Sequence, residues 1–242
     1  MTQKIALITG ANKGIGLETA RKLAETGMHV ILAGRQLSAV QAAAAMLNQA
    51  GLDAEPVALD VTDAESIAAA ARFVRDRHGR LDVLVNNAGV MQDAFDKKPS
   101  EQSMDVWRST FNTNVFGLVA VTNAFLPLLV LAEEARVVNV SSVLGSLSAN
   151  TDPASDFYSF KIPAYNVSKS AVNAWTIHLA YELRDTGIKV NAAHPGFVKT
   201  DLHGVDAPMS PAEGAVTSVE LATLPKEGPT GGFFHAGESI AW

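Results

Sequence analysis

The sequence predicts a single α/β domain built on a doubly wound, predominantly parallel sheet with helices on both faces. Three observations point to this fold class. Apolar runs that suit strands alternate with helical patterns along nearly the whole chain. Within these runs apolar and polar residues rarely alternate, which indicates strands buried on both faces. The 242 residues, of which 48% are apolar, are enough for one large domain spanning 1–242.

Composition and charge exclude several classes of function. The net charge of −6 argues against a surface that binds nucleic acid. The absence of cysteine excludes disulfides and thiolate chemistry, and it fits a cytoplasmic location. No apolar stretch reaches the roughly 20 residues that a membrane helix needs, so we expect no membrane association. The first ten residues suit a strand better than a secretory signal.

The segment 3–35 has the pattern of a βαβ unit with a glycine-rich turn. An apolar run, Ile5 to Thr9, is followed by Gly10, Gly14 and Gly16, and a helical pattern opens on the last of these glycines. Such glycines allow a sharp turn, a close approach of backbone to a pyrophosphate and tight packing of helix on strand. The helix N-terminus then offers N–H groups to phosphates. A tight turn without any ligand is the alternative interpretation.

The remaining elements follow the same alternation. Strands are predicted at 5–9, 30–33, 54–59, 81–85, 136–140, 188–193 and 232–235. Helices are predicted at 16–26, 37–50, 63–78, 104–131, 163–183 and 211–221, and Pro127 is expected to end or kink the fourth of them. The result is a Rossmann-like, seven-stranded sheet.

Polar motifs follow several of these strands directly. Asn86 to Gly89 come after the fourth strand, and Ser141 and Ser142 come after the fifth. Tyr165 and Lys169 are four positions apart on the next helix, so they share one of its faces. Open α/β sheets bind ligands at the carboxyl ends of their strands, where these residues are expected to lie.

Six motifs in order make the chain similar to the short-chain dehydrogenase/reductase family, and within it to the carbonyl reductases. The motifs are TGANKGIG at 9–16, NNAG at 86–89, NVFG at 114–117, SSVLG at 141–145, YNVSK at 165–169 and PGFVKT at 195–200. The resemblance runs nearly end to end. It implies an enzyme that transfers a hydride between NADP(H) and a small carbonyl or alcohol substrate.

The resemblance also assigns the catalytic roles. Tyr165 would be the general acid for reduction, and Lys169 would lower the phenol's pKa from its usual value of about 10. Ser142 would donate a hydrogen bond to the carbonyl oxygen, and Asn114 would hold a water that relays protons towards Lys169. Taken singly, each has a simpler interpretation: the Tyr–Lys pair as a packing pair, the serines as turn residues and Asn114 as a buried polar residue.

The family pattern carries the cofactor contacts onto this sequence. The predicted contacts are Gly10, Asn12, Lys13, Gly14, Ile15, Gly16, Arg35, Asp60, Val61, Asn87, Ala88, Gly89, Tyr165, Lys169, Pro195, Gly196, Val198 and Thr200. An NAD site would place an acid near Gly34, whereas here Gly34 precedes Arg35, and Lys13 adds a second cation. These two cations predict NADP(H). Alternatively they are solvated surface charges, and Asp60 only caps a helix.

Two segments are expected to shape the substrate pocket. The interval from Ser142 to Tyr165 is long and carries Phe157, Tyr158 and Phe160, which would either wall the substrate pocket or alter the helix surface through which relatives assemble. The resemblance leaves a homo-oligomer, a dimer or tetramer, as the expectation. Residues 201–213, which include His203, are predicted to form a substrate lid.

Two further expectations concern metals and the competing function. The histidines at 29, 78, 178, 194, 203 and 235 show no ligand spacing, so no metal site is predicted and they are interpreted as structural or surface residues. The competing hypothesis is a dinucleotide-sensing regulator or scaffold that binds cofactor without turnover. Sensors on this fold often lack the Tyr or the Lys, and this chain has both.

Overall fold

The computed structural model describes residues 3–202 and 206–242, in which eight strands form one sheet. The strands are β1 (Ile5–Thr9), β2 (His29–Gly34), β3 (Ala54–Ala58), β4 (Val83–Asn86), β5 (Arg136–Val140), β6 (Lys189–Ala193), β7 (Phe233–His235) and β8 (Glu238–Ser239). The α-helices are α1 (Gly14–Glu25), α2 (Leu37–Gln49), α3 (Ala64–His78), α4 (Met104–Phe111), α5 (Leu118–Leu129), α6 (Leu147–Thr151), α7 (Pro163–Glu182), α8 (Pro211–Gly214) and α9 (Val216–Ala222).

The sheet order is β3-β2-β1-β4-β5-β6-β7-β8, with β1 to β7 parallel and β8 antiparallel to β7. The predicted α/β, doubly wound fold is confirmed. The eighth strand was not predicted because it has only two residues. It follows a tight turn in which Ala236 and Gly237 both have positive φ, at 47° and 82°.

Both faces of the sheet are covered, which explains the unalternated apolar runs. Leu7 packs into a cluster with Phe125 of α5 on one face. Its neighbour Ile8 points the other way and packs with Leu23 of α1. The order in which successive strands are added to the sheet reverses between β1 and β4, and a cleft is expected at that point.

The predicted helix 104–131 is divided by a π-helical turn, Asn112–Gly117. Pro127 lies in the last turn of α5, close to where the helix ends. The chain passes so near the loop after β3 that a Cβ on Gly117 would lie 2.7 Å from the Val61 carbonyl oxygen. Glycine is therefore required there, and the π turn places Asn114 in the protein interior.

The same segment has one property in common with membrane spans. Met104–Leu129 is long enough and apolar enough to cross a bilayer, with a mean hydropathy of 1.3 in its most apolar window. In this fold it is instead the crossover between the parallel strands β4 and β5, and α5 packs against α3 and β4.

Candidate active site

One cleft of about 680 Å³ lies at the carboxyl ends of the strands and brings the predicted contact residues together. All of the positions expected to touch cofactor line it: Gly10, Asn12, Lys13, Gly14, Ile15, Gly16, Arg35, Asp60, Val61, Asn87, Ala88, Gly89, Tyr165, Lys169, Pro195, Gly196, Val198 and Thr200. Ser142 and Asn114 are not among the lining residues, whereas their sequence neighbours Ser141 and Thr113 are.

The N-terminus of α1 faces the cleft without a protein cap. Lys13 occupies the N-cap position, and no side chain of the described residues accepts from the first turn, which carries no acid. Among the described residues, a Cβ on Gly14 would find only Thr200 nearby, at 3.6 Å, and Gly14 has a φ of +59°. The free N–H groups and the helix dipole therefore point into open space that an anion can enter.

The other two glycines serve packing. A Cβ on Gly16 would lie 2.5 Å from the Asn87 amide nitrogen, and one on Gly10 would lie 3.1 Å from Ala88. The Asn87 side chain donates to the Thr9 carbonyl at 2.8 Å. Asn87 and Ala88 in turn donate their backbone N–H groups to the Thr9 hydroxyl, each at 3.0 Å. These bonds lock the loops after β1 and β4 together.

The opposite end of the cleft carries Arg35. This residue is exposed, and no ion pair to it is found in the described part of the chain. A Cβ on Gly34 would lie 2.9 Å from Val40, so packing disfavours an acidic side chain at that position. The Asp60 carboxylate accepts from the Thr62 hydroxyl at 2.7 Å, whereas Asp63 caps α3. Asp60 therefore holds a turn and is not the helix cap.

The partner of Lys13 is a side chain of the protein, whereas the sequence predicts a contact with the cofactor. Its ammonium forms an ion pair with Asp201 across the mouth of the cleft. Both side chains are well exposed, so the pair contributes at most about 1 kcal/mol. The sequence predicts that Lys13 contacts the cofactor phosphate, whereas in the structure its ammonium is paired with the Asp201 carboxylate.

Tyr165, Ser142 and Lys169 form a buried group at the inner end of the cleft. Burial raises the pKa of the Tyr165 phenol to about 12, and a hydrogen bond with Ser142 lowers that pKa by a smaller amount. The Lys169 ammonium donates to the Val140 carbonyl at 2.7 Å, and burial lowers the pKa of Lys169 to about 8. The ammonium lies 5.7 Å from the centre of the Tyr165 ring.

The expected lowering of the Tyr165 pKa by Lys169 is therefore not found in this structure. Desolvation raises the pKa of the phenol because the charged phenolate loses its hydration on burial. Lys169 is subject to the same effect in the opposite direction, and its ammonium is engaged by a carbonyl. The phenol is consequently neutral at physiological pH, which is the form that donates a proton.

The two serines after β5, Ser141 and Ser142, have different hydrogen-bond partners. The Ser141 hydroxyl donates to the Asn173 amide oxygen at 2.6 Å, within the protein interior. Ser142 is the one that reaches Tyr165. This difference supports the choice of Ser142 over Ser141 for the catalytic role.

Asn114 is held on both sides by protein groups. Its oxygen accepts from the Val90 N–H at 2.8 Å, and its amide donates to the Val90 carbonyl at 2.8 Å and to the Ser168 hydroxyl at 3.0 Å. A Cβ on Gly89 would lie 3.5 Å from the Asn114 oxygen and 3.6 Å from the Lys169 nitrogen. Asn114 is thus a neighbour of Lys169, and it ties α7 to the loop after β4.

Sequence reasoning missed Asp93. This side chain is only 6% exposed, and its two oxygens accept from the backbone N–H groups of Ala164 and Tyr165, at 2.8 and 3.0 Å. The available signal was the start of α7, where Ile162 stands at the N-cap and cannot satisfy those N–H groups. A partner from another segment was therefore required, but the sequence does not say which.

An apolar surface adjoins the buried group. Leu144 and Ile162 pack around Tyr165, with Phe157, Met91 and Leu202 against them. A second pocket of about 450 Å³ begins beside it and shares Gly196 with the cleft, and its lining includes Val143, Phe157, Phe197, Met209 and Ile240. In the predicted lid, Asp201 and Leu202 line the cleft, whereas His203 lies outside the described residues.

Comparison with known proteins identifies the family. The sequence model of the short chain dehydrogenase family matches residues 4–209. The NADPH carbonyl reductase 1 of Homo sapiens is 36% identical, with 98% of each chain covered. A short-chain dehydrogenase of Penicillium roqueforti (strain FM164) is 37% identical over 94% of this chain and 92% of its own. The solved NADPH-bound carbonyl reductase from chicken fatty liver is 28% identical and superposes with a TM-score of 0.86 over the whole of both chains.

These matches agree with the arrangement of the cleft and with the order of the motifs along the chain. The chain therefore belongs to the short-chain dehydrogenase/reductase family of nicotinamide-dinucleotide oxidoreductases, and within it is most like the carbonyl reductases.

Proposed function

We propose that this protein reduces a ketone or aldehyde to an alcohol with NADPH, reversibly, and that Tyr165 is the general acid. The observation that carries the proposal is the buried Ser142–Tyr165–Lys169 group, whose Tyr and Lys line the same cleft as the uncapped N-terminus of α1. One end of the cleft thus offers sites for phosphates, and the other offers a proton donor.

The cleft fits a nicotinamide dinucleotide by the chemistry of its donors. The α1 N–H groups suit a pyrophosphate, and the side chains of Tyr165 and Lys169 suit ribose hydroxyls. Arg35, exposed at the far end and next to the side-chain-free Gly34, suits a 2′-phosphate better than a 2′-hydroxyl. The relatives named for NADPH support the same choice. When bound, the cofactor supplies the hydride.

The protein's own contribution is on the proton side of the reaction. Ser142 donates a hydrogen bond to the carbonyl oxygen as that atom gains negative charge. Tyr165 then transfers its phenolic proton to the same oxygen, which completes the alcohol and leaves a phenolate. The Lys169 ammonium, held by the Val140 carbonyl, stabilises that phenolate until solvent returns the proton. In the oxidative direction the phenolate is the base.

The substrate is an apolar small molecule. The second pocket shares Phe157 with the apolar cluster around Tyr165. Its lining is mainly apolar, with His194, His235 and Glu238 as the polar members. Burial of an apolar group against such a surface contributes about 25 cal/mol per Å². Nonpolar ketones and aldehydes should therefore bind more tightly than charged or sugar-like ones.

The test is the decay of NADPH fluorescence with a panel of ketones and aldehydes that differ in apolar surface. Turnover of at least one apolar carbonyl by the wild type, with NADPH preferred to NADH, is the expected result. Tight NADPH binding with no turnover across the panel would favour the non-catalytic sensor instead.

A further inference from the structure

A cluster of ionisable side chains lies at the amino ends of β2 and β3, whereas the cleft lies at the carboxyl ends of the strands. His29 begins β2, Glu55 is the second residue of β3 and His78 ends α3. Their side chains are only 12–15% exposed, and their ligand atoms all lie within 4.8 Å of one another. None of the three lines the cleft. The spacing along the sequence concealed this group because it draws on three separate elements.

The histidines converge on one carboxylate oxygen. The His29 Nε2 lies 3.0 Å from the Glu55 Oε1, and the His78 Nε2 is hydrogen-bonded to the same oxygen. The two imidazole rings are tilted by 41°, with centroids 5.0 Å apart, so they do not stack. Two ring nitrogens and one carboxylate oxygen, all atoms that can ligate a metal ion, therefore lie close together.

The side chains of Asp53 and Arg77 orient these ligand atoms. The Asp53 carboxylate lies 2.8 Å from the His29 Nδ1 and accepts from Gln3 at 2.9 Å. A carboxylate on Nδ1 leaves Nε2 of His29 as the ligating nitrogen, an arrangement that recurs in metal sites. Arg77 lies 2.9 Å from the other oxygen of Glu55, so Oε1 is left for the histidines.

A divalent cation suits the chemistry of this cluster. His29 has a carboxylate oxygen within 3.0 Å of each ring nitrogen, Asp53 at Nδ1 and Glu55 at Nε2. With bonds of about 2.0–2.1 Å, tetrahedral ligand atoms stand about 3.3 Å apart. The ligand atoms already lie within 4.8 Å of one another, so small side-chain movements give these separations. Two imidazoles with a single carboxylate suit Zn²⁺ and its neighbours rather than Mg²⁺ or Ca²⁺.

We propose that His29, Glu55 and His78 bind a divalent transition-metal ion of the Zn²⁺ class, with water completing its coordination. The ion would join the edge strand β3 to β2 and to the end of α3. Its role is structural, because the cluster is at the edge of the sheet away from the cleft.

The experiment uses untagged protein that has been stripped of metal with a chelator. Titration with Co²⁺ should show one equivalent bound with the visible absorption of a tetrahedral site, displaced by Zn²⁺. His78→Gln and Glu55→Gln should each weaken binding at least about tenfold. His178→Gln, an exposed histidine on α7, is the matched control and should bind as the wild type does. Zn²⁺ at about a hundredfold excess over its dissociation constant should raise the wild-type Tm by about 5–10 °C, and Mg²⁺ should not.

Three results would overturn the proposal: no stoichiometric Co²⁺ binding by the wild type, unchanged affinity in a folded His78→Gln, or an equal loss of affinity in the His178→Gln control. Circular dichroism checks the fold of each variant. If His78→Gln fails to fold, the Co²⁺ affinity of Asp53→Asn tests the proposal in its place. It alters an exposed residue outside the ligand set and should still weaken Co²⁺ about tenfold or more, and wild-type affinity in that variant would also contradict the site.

Discussion

The carboxylate of Asp93 accepts hydrogen bonds from the backbone N–H groups at the start of α7, and one of these is the N–H of Tyr165, at 3.0 Å. The loop after β4 thereby fixes the helix that carries both Tyr165 and Lys169. A charged acceptor at a helix N-terminus is also favoured by the helix dipole. The position of the proposed acid therefore depends on a residue outside the family motifs.

We predict that Asp93→Ala lowers both stability and turnover. The loss of a buried charge-assisted acceptor costs about 1.5–3 kcal/mol, which corresponds to a fall in Tm of roughly 3–12 °C for a chain of this size. kcat should fall more than KM rises, since the change displaces Tyr165 rather than the substrate pocket. Calorimetry and steady-state kinetics measure the two effects.

The matched control is Asp96→Ala, an exposed residue of the same loop. It should leave both Tm and kcat close to the wild-type values. Equal behaviour of the two variants would show that Asp93 does not position α7.

We predict that Arg35→Ala weakens NADPH roughly tenfold to a hundredfold, because a charge-assisted contact contributes about 1.5–3 kcal/mol. NADH lacks the 2′-phosphate, and its affinity should change little. Fluorescence titration of both cofactors measures this, with Arg108→Ala, an exposed arginine of α4, as the control. A parallel loss for both cofactors, or a wild-type preference for NADH, would count against the NADP(H) assignment.

The pH profile of reduction should follow Lys169. Burial lowers the pKa of this lysine to about 8, so its stabilising positive charge is present below that pH and lost above it. Tyr165, with a pKa of about 12, remains a neutral donor over the same interval. kcat/KM for reduction should therefore be level below about pH 8 and fall as the pH rises further.

Lys169→Arg tests the assignment, since arginine keeps its charge above pH 12. Whatever its absolute rate, this variant should lose the descending limb near pH 8. A limb at the same pH in both proteins would mean that another group is responsible.

We predict that cofactor binding protects residues 201–213 from proteolysis. Asp201 and Leu202 line the cleft, and Met209 pairs with the strand-end segment through backbone bonds to Phe197 and Lys199. At tenfold excess of NADPH over its dissociation constant, cleavage within this segment should slow about tenfold. Limited proteolysis with mass spectrometry locates the cuts. Equal cleavage rates with and without NADPH would contradict a closing lid.

Much of this architecture could be predicted because it rests on local signals. Strand and helix patterns alternate clearly, and residues such as Asn87 and Ser142 follow their strands directly. Parallel strands bring such residues to one edge of the sheet whatever the details of packing. The family and the fold class were accordingly predicted correctly, and the predicted contact residues do line one cleft.

What could not be predicted depends on contacts between distant segments. Asp93 and Tyr165 are 72 positions apart, and nothing near Asp93 identifies its partner. The π turn around Asn114 depends on the approach of Gly117 to the loop after β3. The rise in the pKa of Tyr165 follows from complete burial, which a sequence motif does not report.

The central claim is that Tyr165 donates the proton. The direct measurement is the single-turnover rate of NADPH oxidation by Tyr165→Phe with an apolar ketone that the wild type reduces, alongside Tyr181→Phe, an exposed tyrosine of the same helix. We expect Tyr165→Phe to bind NADPH normally and to lose nearly all turnover, with Tyr181→Phe close to wild type. A Tyr165→Phe rate within about tenfold of wild type, equivalent to about 1.4 kcal/mol of barrier, would contradict the assignment.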